Sequence, residues 1–220
     1  MQLINPETLR SMNALSGRYP IKVDLVYARS DNLLFGEQIY RSTAELWLHE
    51  DLAAIVIEAA QRCHDRTGYQ FVLYDGLRTV DAQEKMLHTR RVQQNPHWLE
   101  EPRLLSPPGK GGHPRGMAID IGLENQNGSL LDMGTPFDFL AHNPAPDANM
   151  AHRNYPGLSA QVASNRAILT DAMTHAARSL NLPLLPLPQE WWDFRLPADV
   201  YNQYAPLRDR DLPSPMRMVS

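Results

Sequence analysis

A chain of 220 residues is long enough to bury one sizeable core, and 43% apolar with 21% charged residues is ordinary for a globular protein. The net charge of −4 offers no basic field to a phosphate backbone, and no apolar run has the length of a membrane span, so neither nucleic acid nor membrane is expected as a partner. Met1-Gln2-Leu3-Ile4-Asn5-Pro6-Glu7 lacks the basic and apolar regions of a secretory leader, and a lone cysteine, Cys63, excludes an intramolecular disulfide; a cytoplasmic location is the expectation.

Ser42-Thr43-Ala44-Glu45 has capping-box spacing and predicts a helix behind it, with Leu48, Leu52, Ile55, Val56, Ala59, Ala60 and Cys63 as the inward stripe and Gly68 as the stop. Residues 69–74 are aromatic and branched, and Asp75-Gly76 closes them, which predicts a strand leading into a turn. A second helix is expected over 80–94, with Arg90 and Arg91 on its solvated face. A proline-rich loop over 95–112 then delivers the chain to His113.

Residues 117–123 have strand composition, with 130–133 as a candidate return strand. A third helix is expected over 162–180 and a last strand over 190–196. Helices and strands do not alternate regularly, which favours an α+β fold: a small mixed, mainly antiparallel sheet with flanking helices. The whole of 1–220 is expected to form a single domain. The 18 prolines mark loops, and an extended proline-rich tail is expected from about 206.

The candidate chemistry lies in two segments. Across Gly112-His113-Pro114-Arg115-Gly116-Met117-Ala118-Ile119-Asp120, turn residues let His113 sit on a bend while Ala118 and Asp120 share one strand face. Imidazole plus carboxylate suits zinc or a harder divalent ion. In Glu190-Trp191-Trp192-Asp193, the two acids reach one site only if the strand start is turned, and an apolar tryptophan wall would raise the Glu190 pKa towards neutrality. Taken singly, His113 reads as a hydrogen-bonded loop histidine, Arg78 as a partner of Asp75, and Asp138 as a turn cap.

Together with Tyr74-Asp75-Gly76-Leu77-Arg78 and Met133-Gly134-Thr135-Pro136-Phe137-Asp138-Phe139, these segments give the chain a pattern that resembles the D-alanyl-D-alanine dipeptidases, the vancomycin-resistance type of zinc peptidases. The resemblance runs from about residue 20 to 205. It implies a fold like that of the D,D-carboxypeptidases and hedgehog-type domains, and one zinc ion per chain bound by His113 and Asp120. It also implies Glu190 as general base, Arg78 as the cation beside the developing oxyanion, and Asp138 as acceptor of the substrate ammonium. The substrate implied is a small dipeptide of cell-wall, peptidoglycan-type chemistry.

The chain departs from that pattern at Asp193, which stands where the family has its second ligand histidine. Asp193 is therefore the third candidate ligand, with a harder divalent ion as the alternative to zinc and His142 or His152 as alternative sources of an imidazole. Two other functions follow from the same residues: a D,D- or L,D-carboxypeptidase acting on peptidoglycan fragments, and a metal-poor relative that binds peptide without turnover. Oligomeric state has no signature in the sequence.

Overall fold

The computed structural model describes residues 1–101 and 104–219. In chain order the elements are β1 (Leu9–Ser11), α1 (Met12–Leu15), β2 (Ile21–Val23), β3 (Trp47–His49), α2 (Glu50–Thr67), β4 (Gln70–Asp75), α3 (Val80–Leu87), α4 (Arg90–Gln94), β5 (Ala118–Glu124), α5 (Ala160–Ser179), β6 (Leu185–Pro186), β7 (Asp193–Arg195) and α6 (Ala198–Tyr201), joined by loops and short 3-10 turns. The main sheet has the order β2-β4-β5-β7-β6, parallel only between β2 and β4, and β1 pairs with β3 in a separate antiparallel ribbon. The fold is α+β with a mainly antiparallel sheet, as the irregular element order predicts.

The apolar stripe of α2 is buried from Leu52 through Cys63, and the helix ends on Gly68 at φ 72, a left-handed turn that favours glycine. α2 packs on α5, whose Val162, Leu169, Met173, Ala176 and Ala177 face inward, and on β4. The expected capping box over 42–45 does not form. Glu45 instead accepts the Ser11 hydroxyl at 2.6 Å, Asn13 Oδ1 takes the Leu46 N–H at 2.8 Å, and residues 47–49 are drawn into β3. The helix starts at Glu50, capped by the His49 ring.

The expected helix over 80–94 is two helices, because Thr89 turns its hydroxyl back to the Met86 carbonyl at 2.8 Å and begins α4 as its cap. Of the loop expected over 95–112, residues 102 and 103 lie outside the described residues, as does residue 220 of the tail. Residues 130–133 contribute one bridge, Glu124 to Leu130, rather than a strand. The segment after 206 is not extended: Leu207, Leu212 and Met218 are buried. Buried Asp209 ties the segment to α3 by accepting from Thr79 Oγ1 (2.8 Å) and from the Met218 and Val219 N–H groups (3.1 and 2.8 Å). Apolar side chains among the prolines give the tail a reason to dock.

Three inward arginines hold the loops around the sheet. Arg166 of α5 donates to the carbonyls of Met133 (2.8 Å), His152 (3.1 Å) and Met150 (2.8 Å), spanning the loop that carries Asp138. Arg153 donates to the carbonyls of Leu187 and Asp193 and lies over the Phe194 ring, and Arg115 donates to the carbonyls of Gly109, Gly111 and Tyr204. Proline-rich loops have few backbone donors of their own, and a fixed guanidinium satisfies several carbonyls at once. Replacing Arg166 by Met is expected to cost about 3 kcal/mol, lowering Tm by roughly 6–12 °C in thermal unfolding. The same change at Arg210, whose side chain is 80% exposed, should leave Tm nearly unchanged.

Candidate active site

Three adjacent strands each place an aspartate at one level of the sheet. Asp120 of β5 stands opposite Asp193 of β7, and opposite Asp75 of β4 because a register shift between Leu73 and Asp75 moves that end of β4 along by one residue. All three are buried, at 0%, 2% and 1% exposure for Asp75, Asp120 and Asp193. Like charges facing each other across strands repel, so the row has to be neutralised locally.

The two outer members have their own donors. Asp75 Oδ1 accepts from the Tyr40 hydroxyl at 2.7 Å, and its Oδ2 accepts from Arg78 Nε and Nη2 at 2.8 and 2.6 Å. Both oxygens of Asp193 accept from Arg195, Oδ1 at 2.8 Å. The middle member is poorly served: Arg78 Nη2 is 3.8 Å from Asp120 Oδ2, and Asp120 Oδ1 is a buried oxygen with no hydrogen-bond partner among the described residues.

His113 faces that oxygen from a 3-10 turn (His113–Arg115) that ends on Gly116 at φ 63. Gly112, just before it, touches the start of β5: a Cβ there would lie 2.7 Å from the Met117 carbonyl. The turn is stitched to the end of β4, since Arg78 N–H donates to the His113 carbonyl at 3.0 Å and His113 Nδ1 donates to the Gly76 carbonyl at 2.8 Å. The free Nε2 then lies 3.7 Å from Asp120 Oδ1 and 3.4 Å from Asp193 Oδ2.

Around this cluster a small cavity (≈ 80 Å³) is lined by Tyr27, Arg78, Asp138, Glu190, Trp192 and Arg195, with Leu34, Phe35 and Leu140 on its apolar side. Glu190 and Asp193 both reach it because 188–192 is turned and β7 begins only at Asp193. Asp138, at φ 64, accepts the Tyr27 hydroxyl on both oxygens at 2.9 and 2.7 Å, and the Arg78 guanidinium lies 5.3 Å from the Tyr27 ring centre.

Burial and crowding set the protonation of these groups. Burial first, then the neighbouring Asp193 and Asp75 charges, push the Asp120 carboxyl well above its ordinary range. Burial and Asp193 raise Glu190 to about 7. Burial raises Asp138 to about 7 even though the Tyr27 hydrogen bond and Arg78 oppose it. Asp193 goes the other way: burial would raise it, but the adjoining Arg195 guanidinium holds it below the carboxylate range.

Asp75, His113 and Asp120 each present a ligand atom within 4.8 Å of the others, a cluster that could hold a metal ion. Within it, His113 Nδ1 and both Asp75 oxygens already have partners, so His113 Nε2 and the orphaned Asp120 Oδ1 are the open donors. A nitrogen and a carboxylate oxygen facing one another across a buried, acid-rich gap fit a divalent cation. A third protein ligand, Asp193 or Asp75, would have to share its carboxylate with a guanidinium or release it.

The structure thus brings His113, Asp120, Asp193, Glu190, Arg78 and Asp138 to one cavity. His142 stacks on His97, and His152 Nδ1 accepts from Asn154 N–H; neither lines the cavity. Arg78 both pairs with Asp75 and faces the cavity, so the two readings of it are compatible. Sequence reasoning did not place Tyr27, Tyr40 or Arg195 at the site, nor give Asp75 more than a turn and a pairing with Arg78. For Arg195 the signal was present, since residues two apart on a strand share a face.

Comparison with known proteins shows the chain to be a hydrolytic enzyme of the peptidase class and gives the family. Residues 18–208 match the family described as D-ala-D-ala dipeptidase, and the chain belongs to it. The D-alanyl-D-alanine dipeptidase of Escherichia coli (strain K12) is 28% identical over 177 residues, 80% of this chain and 79% of that protein. Among solved structures, the L-Ala D-Glu endopeptidase of Serratia marcescens aligns with 70% of this chain and 84% of its own at 16% identity and a TM-score of 0.38.

Without metal, the raised carboxyls make the protein less stable as pH rises. The folded chain keeps protons on Asp120, Glu190 and Asp138 that the unfolded chain releases near pH 4, so stability falls between about pH 4 and 7. Asp193, whose pKa is depressed, adds stability that is lost only in stronger acid, below that window. Metal-free protein is expected to melt roughly 5 °C higher at pH 5 than at pH 8, with added zinc raising Tm more at pH 8. Equal melting at both pH values without a zinc response would contradict this account.

Proposed function

We propose that this chain hydrolyses a D,D-dipeptide, with D-alanyl-D-alanine as the leading substrate, in a reaction assisted by one divalent ion, zinc first, held by His113 and Asp120. The observation that carries the reading is the convergence of an open His113–Asp120 donor pair, a neutral-range glutamate, a fixed guanidinium and a second acid in one cavity of ≈ 80 Å³. A bound ion there would supply a Lewis acid that polarises the scissile carbonyl and acidifies water.

The remaining roles belong to the side chains. Glu190, with a pKa of about 7, takes a proton from the attacking water and returns it to the departing amine. Arg78, anchored by Asp75 and so held in place, offers positive charge where the carbonyl oxygen becomes an oxyanion. Asp138, oriented by Tyr27, accepts the substrate ammonium, which favours a free dipeptide over the end of a longer chain. The reading includes a cytoplasmic setting, suited to a single buried thiol.

The assay is release of alanine from D-alanyl-D-alanine by purified protein supplied with zinc, manganese or cobalt. Turnover of the dipeptide but not of a muramyl pentapeptide is expected; the reverse preference would identify a carboxypeptidase. Glu190→Gln should lower kcat by about 10²–10⁴-fold with metal content unchanged. With Glu190 and Asp138 both titrating near 7, kcat/KM should climb as pH rises through about 7, and a flat profile between pH 5 and 8 would exclude Glu190 as base. One observation favours a second reading, binding without turnover: Arg195 engages both oxygens of Asp193. Metal uptake without alanine release from any dipeptide would support it.

A further inference from the structure

Arg195 has no assigned task, yet it touches the residue on which the metal site turns. On β7, Asp193 and Arg195 are two apart and share a face, opposite Asp120 and Ala118 of β5. Ala118 presents only a methyl group there, leaving the face open beside the arginine. Arg195 Nε donates to Asp193 Oδ1 at 2.8 Å and Nη2 to Oδ2, the two-pronged geometry in which guanidinium and carboxylate bind most firmly. The arginine side chain is 16% exposed, so water screens the pair little. Asp120, by contrast, has an oxygen with no partner.

We infer that Arg195 is a built-in competitor for the third metal-ligand position. It occupies Asp193, so the chain binds an ion through His113 and Asp120, and Asp193 joins them only when the guanidinium is removed. The inference rests on the reading that this cluster holds a metal. An ion that recruited Asp193 would have to draw on oxygens already engaged by a shielded cation, either weakening that pair or displacing the guanidinium and leaving it unpaired. Asp193 and Arg195 form a self-contained neutral pair.

The test compares zinc affinity, by competition with a chromophoric chelator, and the visible absorption of the cobalt(II) forms. The chains are the natural one, Arg195→Met, and the double variant Arg195→Met with Asp193→Asn, which removes the pair without changing net charge. Natural and double chains should agree within about threefold in zinc affinity and share a cobalt spectrum. Arg195→Met should bind zinc at least tenfold more tightly than either, with a changed cobalt spectrum showing a new ligand rather than only a more negative site.

Affinity of the natural chain tenfold above the double variant, or an Arg195→Met chain with unchanged affinity or spectrum, would overturn the inference. If Arg195→Met does not fold, the comparison of natural with double chain still decides whether Asp193 contributes. Failure of all three chains, and of Asp193→His, to take up zinc or cobalt would overturn the metal reading itself and the competitor with it, an outcome distinct from the others.

Discussion

The row of Asp75, Asp120 and Asp193 across three adjacent strands is the constraint to which the rest of the site answers. Three carboxylates at one level of a buried sheet repel, and burial denies them the water that would screen the repulsion. Arg78 answers for Asp75 and Arg195 for Asp193, each from a position two or three residues along the same chain segment. Asp120, in the middle, is left with an imidazole nitrogen and a distant guanidinium. The electrostatics thus concentrate the need for a cation at the one point where His113 offers a free nitrogen.

Much of the surrounding architecture serves to aim these groups. The register shift in β4 brings Asp75 level with Asp120, and the turned segment before β7 brings Glu190 to the side of the cavity that Asp193 borders. The Gly76 carbonyl selects which nitrogen of His113 is free, and Tyr27 holds Asp138 on a backbone conformation that few residues other than glycine adopt. A site assembled from turns at the ends of strands needs rigid neighbours, and the packed ends of β4, β5 and β7 supply them.

Legibility in the sequence followed the range of the interactions involved. The stripes of α2 and α5 and the strand ending at Asp75-Gly76 are local patterns, and they were readable to within a few residues. The capping box failed because its two polar ends, Ser42 and Glu45, are three positions apart while the partner Glu45 takes, Ser11, is 34 away. The helix expected over 80–94 failed at Thr89, where one hydroxyl competes with the helical ladder. The motif residues of the site were found because they recur in a recognisable order; Tyr27 and Tyr40 were not, since nothing near them in sequence betrays that they face Asp138 and Asp75. The loop-holding arginines were equally hidden, as carbonyl partners leave no mark on composition.

Those arginines also divide the molecule by its response to acid. Burial lowers the Arg153 and Arg166 pKa values, yet only to about 10, so both stay cationic across the range in which Glu190 and Asp138 gain or lose protons. Their hydrogen bonds to loop carbonyls do not titrate across that range. A shift in acidity therefore resets the charges inside the cavity while the struts around it keep their grip, so that this protein can be switched chemically without being remodelled mechanically.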